Sequence, residues 1–405
     1  MAVSIIEALD IISQNIHPLN SEIIPIELSV GRVVTQDYIA TFDLPRFNNS
    51  AMDGYIVKVS DAGKTVLCHE VIYAGDNPQM ELSSGTAIKI MTGAPIPKGG
   101  EAIVPIEHVS LTNDLVCLPQ GIENNHFIRM AGEDIQKGTL FLSKGETINA
   151  YTIASLASQG ITHVTVTREI KVAIFGTGDE LRPHFEKIEA HQLYNSNSPM
   201  FLTRSKMLGC TVRFIRTSAD TLEALEASIK STLDADIIIT SGGVSVGDKD
   251  FTKKAFTNLG MELLINTIDI KPGKPTLIGK IDHTIIVNLP GNPLASMVNY
   301  ELFIRAILRK LSGRSDYHHG TIHTILKEDF STKGGKSAVV LGRFDGHSFE
   351  PLKPQMPGMV SPMQKADGLI LITPKVKMLD KGSVVKMIPI QWELTSVKKE
   401  DLFTC

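Results

Sequence analysis

The spacing of hydrophobic and polar residues changes several times along the chain. Four apolar residues near the N-terminus recur at helical spacing: Val3, Ile6, Leu9 and Ile12. Ser4 stands at the start of this pattern and Glu7 follows three residues later, as in a capping box. The pattern predicts an amphipathic opening helix.

From about residue 20 to residue 170 the pattern consists of short β-branched runs broken by glycine and proline. Examples are IELSVGRVVT, GYIVKV and THVTVT. Such runs are typical of strands, so this half is predicted to be mostly β. One helix is expected within it, near Tyr151 to Gln159.

From residue 171 onward, strand-like and helix-like segments alternate. The apolar runs KVAIF, TVRFI, DIIIT, ELLIN and TIIVN are interleaved with helical patterns at about 199–208, 221–233, 251–259 and 293–311. This alternation predicts a three-layer α/β domain with a mainly parallel sheet. After Gly313 short strands such as AVVLG and LILIT return, which predicts a small terminal β-barrel or sandwich.

Glycine-rich loops follow the strands of the predicted parallel sheet. GTGDEL follows KVAIF, SGGVSVGDKDF follows DIIIT, and LPGNP follows TIIVN, while KPGKP lies between ELLIN and TIIVN. Ligands of open parallel sheets bind beyond the carboxyl ends of the strands. We therefore expect these loops to share one rim.

Two of these segments have the pattern of a helix start. Asn292 suits an N-cap and Pro293 the first helical position, which leaves the amides of the first turn free to meet an anion. Ser198 and Pro199 repeat the arrangement in NSNSPM. Each device is common in proteins without a ligand, and their convergence on one rim favours a phosphorylated ligand.

The rim also carries charges of both signs. Lys271 and Lys274 lie in the proline-bounded KPGKP turn, and five acidic residues lie in or near the loops: Asp179, Glu180, Asp220, Asp248 and Asp250. A carboxylate about 4 Å from a phosphate is repelled by roughly 4 kcal/mol per pair of unit charges at an effective dielectric near 20. A Mg²⁺ ion between them removes this conflict. Asp220 and Asp250 are also suited to capping the helices that follow them.

Sequence signatures of other enzyme classes are missing. The chain has no GxxxxGK[ST] loop and no GxGxxG opening a helix, which disfavours a standard ATPase or nicotinamide dehydrogenase. Carboxylates, lysines and helix starts together fit phosphoryl or nucleotidyl chemistry.

Length and composition limit the number of domains, the kinds of partner and the cellular compartment. The 405 residues suffice for about three domains. The net charge of -4 indicates neither nucleic acid nor an anionic membrane as a partner, and the longest apolar runs are too short for a membrane span. The four separated cysteines fit a reducing compartment. We expect a soluble cytoplasmic protein.

Six ordered motifs resemble one known family. FNNSAMDGY, MTGAPIP, GDEL, SGGVSVGDKDF, KPGKP and LPGNP are similar to the motifs of MoeA-family molybdopterin molybdenumtransferases, which include the E domain of gephyrin. The likeness extends over essentially the whole chain. It implies Mg²⁺-dependent insertion of molybdate into adenylylated molybdopterin with release of AMP.

The resemblance also implies an elongated subunit of four domains. The implied division is an N-terminal helix (1–20) that packs on a molybdopterin-binding α/β domain (170–315), a linking domain (21–41 and 141–169), a β-rich inserted domain (42–140) and a C-terminal β-barrel (316–405).

Site residues follow from the same resemblance, position by position. The implied catalytic residues are Asp53, Glu180, Asp250, Lys271 and Lys274. The implied substrate-binding residues are Thr92, Asp220, Ser241, Gly242, Gly243, Ser245, Pro290, Gly291, Asn292 and Pro293. The implied metal ligands are Glu180, Asp250 and Asp248. The chain departs from its relatives at Asp220, where they often have two adjacent acids, and at Asp248, where many have Glu.

The family likeness further implies a homodimer with a shared active site, in which Asp53 acts on the rim of the partner subunit. Transient contacts with a molybdopterin adenylyltransferase and with apo-molybdoenzymes or their chaperones are expected.

Two alternatives remain at this point. Molybdopterin adenylyltransferases share the α/β domain, but they usually carry GGTG followed by an Arg-Asp pair, whereas this chain has GGVSVGDKD and additional β domains. A gephyrin-like scaffold is the other alternative, although the chain shows no added linker or fused enzyme domain.

Overall fold

The computed structural model of the protein describes residues 2–176, 180–215, 222–242 and 251–391. The helices in these ranges are α1 (Ile5–Asn15), α2 (Ala150–Ser158), α3 (Asn197–Met207), α4 (Leu222–Lys230), α5 (Phe251–Asn258), α6 (Pro293–Asn299), α7 (Arg305–Leu311) and α8 (Ser361–Lys365). A π-helical segment, Tyr300–Ile304, joins α6 to α7. Short 3-10 turns occupy Ile26–Leu28, Val59–Asp61 and Ile106–His108. None of the helices in the described ranges is long and apolar enough to cross a bilayer.

Strands account for most of the remaining regular structure. The N-terminal strands are β1 (Ser21–Pro25), β2 (Tyr38–Ile39), β3 (Asn49–Ser50), β4 (Gly54–Val57), β5 (Thr65–Ile72), β6 (Thr86–Ile90), β7 (Ala102–Pro105), β8 (Ser110–Thr112), β9 (Leu115–Cys117), β10 (Ile128–Arg129), β11 (Leu140–Leu142) and β12 (His163–Thr167). The central strands are β13 (Lys171–Gly176), β14 (Leu181–Arg182), β15 (Leu193–Tyr194), β16 (Thr211–Ile215), β17 (Ile237–Ser241), β18 (Glu262–Ile265), β19 (Ile270–Lys271), β20 (Leu277–Ile281) and β21 (Thr284–Leu289). The C-terminal strands are β22 (Ile322–Leu326), β23 (Phe330–Ser331), β24 (Ser337–Phe344), β25 (Ser348–Pro351), β26 (Gly368–Ile372), β27 (Met378–Leu379) and β28 (Val384–Pro389).

Helix α1 begins as the sequence predicts. Ser4 is its N-cap, and Ser4 and Glu7 exchange the two hydrogen bonds of a capping box. The buried face consists of three residues: Ile5, Ala8 and Ile12. Of the four predicted apolar positions, Ile12 is buried and Val3 and Leu9 pack partly buried against the same core, whereas Ile6 is 72% exposed.

The α/β domain contains a six-stranded sheet in the order β16-β13-β17-β21-β20-β18. The strands from β16 to β21 are parallel, which confirms the predicted α/β fold, whereas β20 and β18 run antiparallel at one edge. Strand β20 is not among the strands that the sequence pattern predicts. This strand directly follows the KPGKP turn and forms a tight hairpin with β21.

Both faces of this sheet are covered, as its fully buried strands require. Alternate residues of β17 point to opposite faces, since Ile237 and Ile239 pack with α1, α6 and α7, whereas Ile238 packs with α4 and α5. The N-terminal helix therefore belongs to the core of the α/β domain.

The first half of the chain is built from β structure. One six-stranded sheet has the order β7-β4-β6-β5-β9-β8 and carries an apolar cluster on each face. Strands β1 and β12, and β2 and β11, pair across the two flanks of this region and share a cluster that includes Leu156 of α2. The sequence-derived domain boundaries themselves stay predictions.

The C-terminal region closes into a five-stranded barrel. Strands pair in the order β24-β25-β22-β28-β26, and β26 returns to β24. A barrel, and not a sandwich, is thus formed, which removes the exposed edges that a small open sheet would present. One pairing crosses to the α/β domain, because β19 runs parallel to β24 through Ile270 and Lys271.

Candidate anion-binding site between the α/β domain and the barrel

Three strand ends lie side by side at the carboxyl edge of the parallel sheet. Gly176 of β13 pairs in register with Ser241 of β17, which pairs with Leu289 of β21. The three strand ends therefore lie at one edge of the sheet, as the sequence predicts, while residues 177–179 and 243–250 of the loops that follow lie outside the described residues.

Buried hydrogen bonds lock the second and third of these loops together. The Asn197 amide Nδ2 donates to Ser241 Oγ at 2.7 Å and to the Gly291 carbonyl at 2.8 Å. Ser241 Oγ donates to the Pro290 carbonyl at 3.1 Å, and the Gly242 amide donates to Leu289 O at 3.1 Å. These bonds indicate that Ser241 and Asn197 hold the rim in shape.

The start of α3 differs from the prediction. The helix begins at Asn197, so Ser198 and Pro199 lie in its first turn instead of forming its cap and first position. The Asn195 side chain accepts a hydrogen bond from the Ser198 amide at 3.0 Å. A Cβ at Gly176 would lie 2.3 Å from Asn195 Nδ2, so any larger residue there would displace the Asn195 side chain.

The start of α6 agrees with the prediction in position. Asn292 is the N-cap and Pro293 the first helical residue, but the Asn292 side chain makes no capping hydrogen bond. The next amide, Leu294 N, donates to the Pro357 carbonyl of the barrel region at 3.0 Å. The expected free amides at this helix start are thus partly used by the C-terminal region.

The KPGKP turn is anchored on α6. Gly273 has a φ of +111°, and a Cβ there would lie 2.1 Å from Asn299 Nδ2. The same Asn299 Nδ2 donates to the Gly273 carbonyl at 3.1 Å, and Thr276 Oγ1 donates to it at 2.9 Å. Glycine is required because Asn299 must approach the turn closely enough to bond its backbone.

A cavity of about 450 Å³ lies between the KPGKP turn, the LPGNP loop and the barrel. Its lining comprises Ile270, Lys271, Pro272, Gly273, Lys274, Pro275, Pro290, Asn292, Ala295, Gly334, Gly335, Lys336 and Pro357. The last four were not identified from the sequence. The only local signal for them is the KGGK tetrapeptide at 333–336, whose proximity to KPGKP depends on the β19–β24 pairing.

Positive charge dominates the cavity. Lys271, Lys274 and Lys336 are all exposed, and none of them forms a salt bridge with a residue that the structure describes. Three ammonium groups around one concave space, with no counter-charge among the described residues, attract a multiply charged anion.

The predicted residues of the inserted domain form a separate polar pair. Asp53 Oδ1 accepts hydrogen bonds from the Thr92 amide and from Thr92 Oγ1, each at 2.7 Å. These bonds, with a smaller contribution from nearby Lys89, hold the pKa of the Asp53 carboxyl below its usual range. Asp53 is exposed, and in the described part of the chain no hydrogen bond joins this pair to the rim. The carboxylate therefore faces solvent.

Four of the five predicted acidic residues of the rim lie outside the described residues: Asp179, Asp220, Asp248 and Asp250. The same holds for two predicted substrate-binding residues, Gly243 and Ser245. Glu180 is described and exposed. Among the residues with described positions, no group of three or more His, Cys, Asp or Glu side chains is arranged to hold a metal ion. Magnesium often uses only one or two carboxylates together with water and substrate phosphates, and an exposed Glu180 fits that mode.

Models of three protein regions match the chain in order. They are the MoeA N-terminal region (domain I and II) at residues 3–160, a probable molybdopterin binding domain at 173–310 and the MoeA C-terminal region (domain IV) at 324–390.

Complete proteins and solved structures give the same result. A molybdopterin molybdenumtransferase of Staphylococcus epidermidis is 30% identical over 95% of both chains, and one of Haemophilus influenzae is 34% identical over 74% of this chain and 75% of its own. The crystal structure of the molybdopterin biosynthesis MoeA protein from Pyrococcus horikosii has a TM-score of 0.81 at 29% identity, covering 96% of this chain and 99% of that one.

A molybdopterin-binding α/β domain combined with a β-rich N-terminal region and a terminal barrel defines a class of molybdenum cofactor biosynthesis enzymes. Within that class, the similar proteins named above are molybdopterin molybdenumtransferases. The chain belongs to the MoeA family of molybdopterin molybdenumtransferases.

Proposed function

We propose that this enzyme inserts molybdenum from molybdate into adenylylated molybdopterin in a Mg²⁺-dependent step that releases AMP. The observation that carries the proposal is the cavity lined by Lys271, Lys274 and Lys336 at the rim of the molybdopterin-binding domain. A cavity with three positive charges is suited to a small dianion beside the phosphates of a nucleotide ester.

The lysines act by charge neutralisation. Lys271 and Lys274 lie on the turn that Asn299 anchors, so their ammonium groups are held near one wall of the cavity. Lys336 approaches from the barrel wall. Together they neutralise the incoming oxyanion and the negative charge that develops as AMP leaves.

The rim loops bind the pterin and its nucleotide. Ser241, Gly242, Gly243 and Ser245 contribute the glycine-rich loop after β17. Pro290, Gly291, Asn292 and Pro293 contribute the loop after β21, and Asp220 lies after β16. Hydrogen bonds between Asn197 and the first two loops support this assignment, because they fix the rim before ligand binds.

Glu180, Asp248 and Asp250 are the proposed magnesium ligands. Magnesium bound there would offset the repulsion between these carboxylates and the pyrophosphate link. Glu180 and Asp250 can therefore act as site residues although their negative charges would otherwise repel the substrate phosphates.

The reaction can be tested directly with purified protein, adenylylated molybdopterin and molybdate. We expect AMP to be released only when molybdate and Mg²⁺ are both present, because molybdate is the second substrate and Mg²⁺ offsets the repulsion between the carboxylates and the pyrophosphate link. Chromatography of the nucleotides measures this release. Consumption of ATP with unadenylylated molybdopterin, without molybdate-triggered AMP release, would show an adenylyltransferase and reject the proposal.

A shared active site in a homodimer is the second part of the proposal. Asp53 is exposed and ionised on the inserted domain, and Thr92 fixes its orientation, so it is available to the cleft of a partner subunit. Its carboxylate would complete that cleft in trans.

Mixing two inactive variants tests the shared site. Asp53→Ala and Lys274→Gln subunits should regain about a quarter of the wild-type activity after exchange, since about half of the dimers become mixed and each then has one intact cleft. AMP release before and after subunit exchange measures the gain. If the mixture stays as inactive as either variant while mass analysis shows mixed dimers, Asp53 does not act in trans.

A further inference from the structure

One nearly continuous helix runs from the cationic cavity to a contact with the barrel. Its first turn, in α6, lines the cavity through Ala295, and its last α6 residue, Asn299, bonds the KPGKP turn. The π-helical segment Tyr300–Ile304 follows at once and leads into α7. Such π-helical segments are rare and frequently occur at functional sites.

The π-helical segment carries a buried carboxylate between two arginines. Arg204 Nε donates to Glu301 Oε1 at 2.7 Å, and Arg204 Nη2 donates to Glu301 Oε2 at 3.0 Å. Arg305 Nη1 donates to the same Oε2 at 3.0 Å. The Glu301 side chain is only 4% exposed, so its two described ion-pair partners, Arg204 and Arg305, replace water around the carboxylate.

Both arginines extend this contact to the barrel. Arg204 Nη2 donates to the Ile390 carbonyl at 3.0 Å, and Arg305 Nη1 donates to the Pro389 carbonyl at 2.9 Å. These carbonyls lie at the end of β28, a strand of the closed barrel. Glu301 therefore fixes two donors that hold the barrel at one defined point.

The linker to the barrel joins the same network. His319 lies between α7 and β22, and its Nδ1 is 3.1 Å from Arg305 Nη2 while its Nε2 is 2.6 Å from the Leu302 carbonyl. Burial lowers the pKa of His319 to about 4, so the ring is neutral at pH 7, with Nε2 donating and Nδ1 accepting. We call these four residues the clamp: Arg204, Glu301, Arg305 and His319. The clamp contacts the barrel at the end of β28 and includes His319 of the linker that leads to it.

Cohesion between the two domains does not require these charges. Leu341, Leu369 and Ile388 of the barrel already belong to the apolar cluster that fills the α/β domain. Apolar contacts supply cohesion without strict direction, whereas buried ion pairs give little net stability and restrict geometry. The clamp is therefore suited to setting the orientation of the barrel.

We propose that Glu301 is a positioning residue for the oxyanion: through Arg204 and Arg305 it seats the barrel so that Lys336 stays opposite Lys271 and Lys274. The inference rests on the proposed function, because it takes molybdate as the anion held between these lysines. Glu301 itself lies outside the cavity lining and acts through the barrel.

The test compares Glu301→Gln with Asp236→Asn in the full-length protein. Asp236 is a matched control, since its buried carboxylate receives two hydrogen bonds from Arg168, at 2.8 and 2.5 Å, and another from the Lys171 amide at 2.8 Å. These contacts lie where β13 begins, at the end of the sheet opposite the rim. Arg204→Lys, which keeps the charge but loses the forked geometry, serves if Glu301→Gln does not fold.

Three readouts separate positioning from general destabilisation. In Glu301→Gln the dissociation constant for molybdate alone should rise roughly 3- to 30-fold, the range in which residues away from a ligand alter its binding. AMP release at saturating molybdate should change less than about twofold, as expected when binding of the anion is weakened equally in the ground state and in the transition state. Amide hydrogen exchange at Ser337 and Ala338, where β24 pairs with β19, should become faster.

Asp236→Asn should lower the melting temperature without changing molybdate binding or this exchange. Wild-type molybdate affinity in a folded Glu301→Gln protein, or an equal loss of affinity in Asp236→Asn, overturns the inference. The exchange measurement stays independent of the reaction: if the wild-type enzyme binds no molybdate, the proposed function fails, and unchanged exchange in Glu301→Gln then separately refutes the role of the clamp.

Discussion

Replacing Lys274 with Gln is expected to lower molybdate-dependent AMP release by roughly 100-fold, the usual effect of removing one donor from a site that stabilises developing negative charge. Lys274 is exposed and forms no salt bridge with any described residue, so its charge is available to the anion. The folded structure should be unaffected for the same reason. The measurement is kcat/KM for molybdate together with the melting temperature.

Lys98→Gln is the control for this substitution. Lys98 is also exposed, but it lies on the inserted domain and pairs with Glu81 at 3.1 Å. It should leave both activity and stability nearly unchanged, because exposed ion pairs contribute little. Near-normal activity in a folded Lys274→Gln enzyme would show that the anion binds elsewhere.

Replacing Gly273 with Ala is expected to cost about 2–5 kcal/mol of folding free energy, the sum of a strained backbone and a side-chain clash. The φ of +111° is unfavourable for alanine, and the new Cβ would lie 2.1 Å from Asn299 Nδ2. Relief of this clash must displace the Asn299 amide, which breaks its hydrogen bond to the Gly273 carbonyl, or move the KPGKP turn itself. Activity should therefore fall with stability, as urea unfolding and AMP release would show.

Gly382→Ala separates the two causes. Gly382 has a φ of +84° with no atom within 4 Å of the added Cβ, so its substitution introduces the strain without the clash. We expect a loss of only about 1–2 kcal/mol there and unchanged activity. Equal losses at both positions would mean that the Asn299 contact is unimportant for the turn.

Parts of the fold could be predicted from local patterns. The run from Ile237 to Ile239 is apolar at every position, which is typical of a strand buried on both faces, and it is one. The capping box at Ser4 was also recognisable, since both of its hydrogen bonds form within one helical turn. In these cases the interactions that decide the structure lie a few residues apart.

One error arose where a distant contact decided the outcome. Ile6 had helical spacing but faces solvent, because the sheet selects the stripe formed by Ile5, Ala8 and Ile12. The other error was local. Ser198 and Pro199 resembled a helix start, but the Asn195 side chain, only three residues before Ser198, accepts a hydrogen bond from the Ser198 amide and the helix begins at Asn197.

The candidate site shows the same division. By itself the sequence determined which chemical groups the chain carries: the motif order, the lysines of KPGKP, the glycine-rich loops after the parallel strands and the family to which they belong. Only the tertiary structure decided that Lys336 of the barrel lines the same cavity as Lys271 and Lys274 and that the buried Glu301 lies between two arginines. The physical reason is that each residue's chemical group is given by the sequence itself, whereas the position of the barrel is not. That position depends on the β19–β24 pairing, a shared apolar core and buried ion pairs, which form only when remote segments pack together.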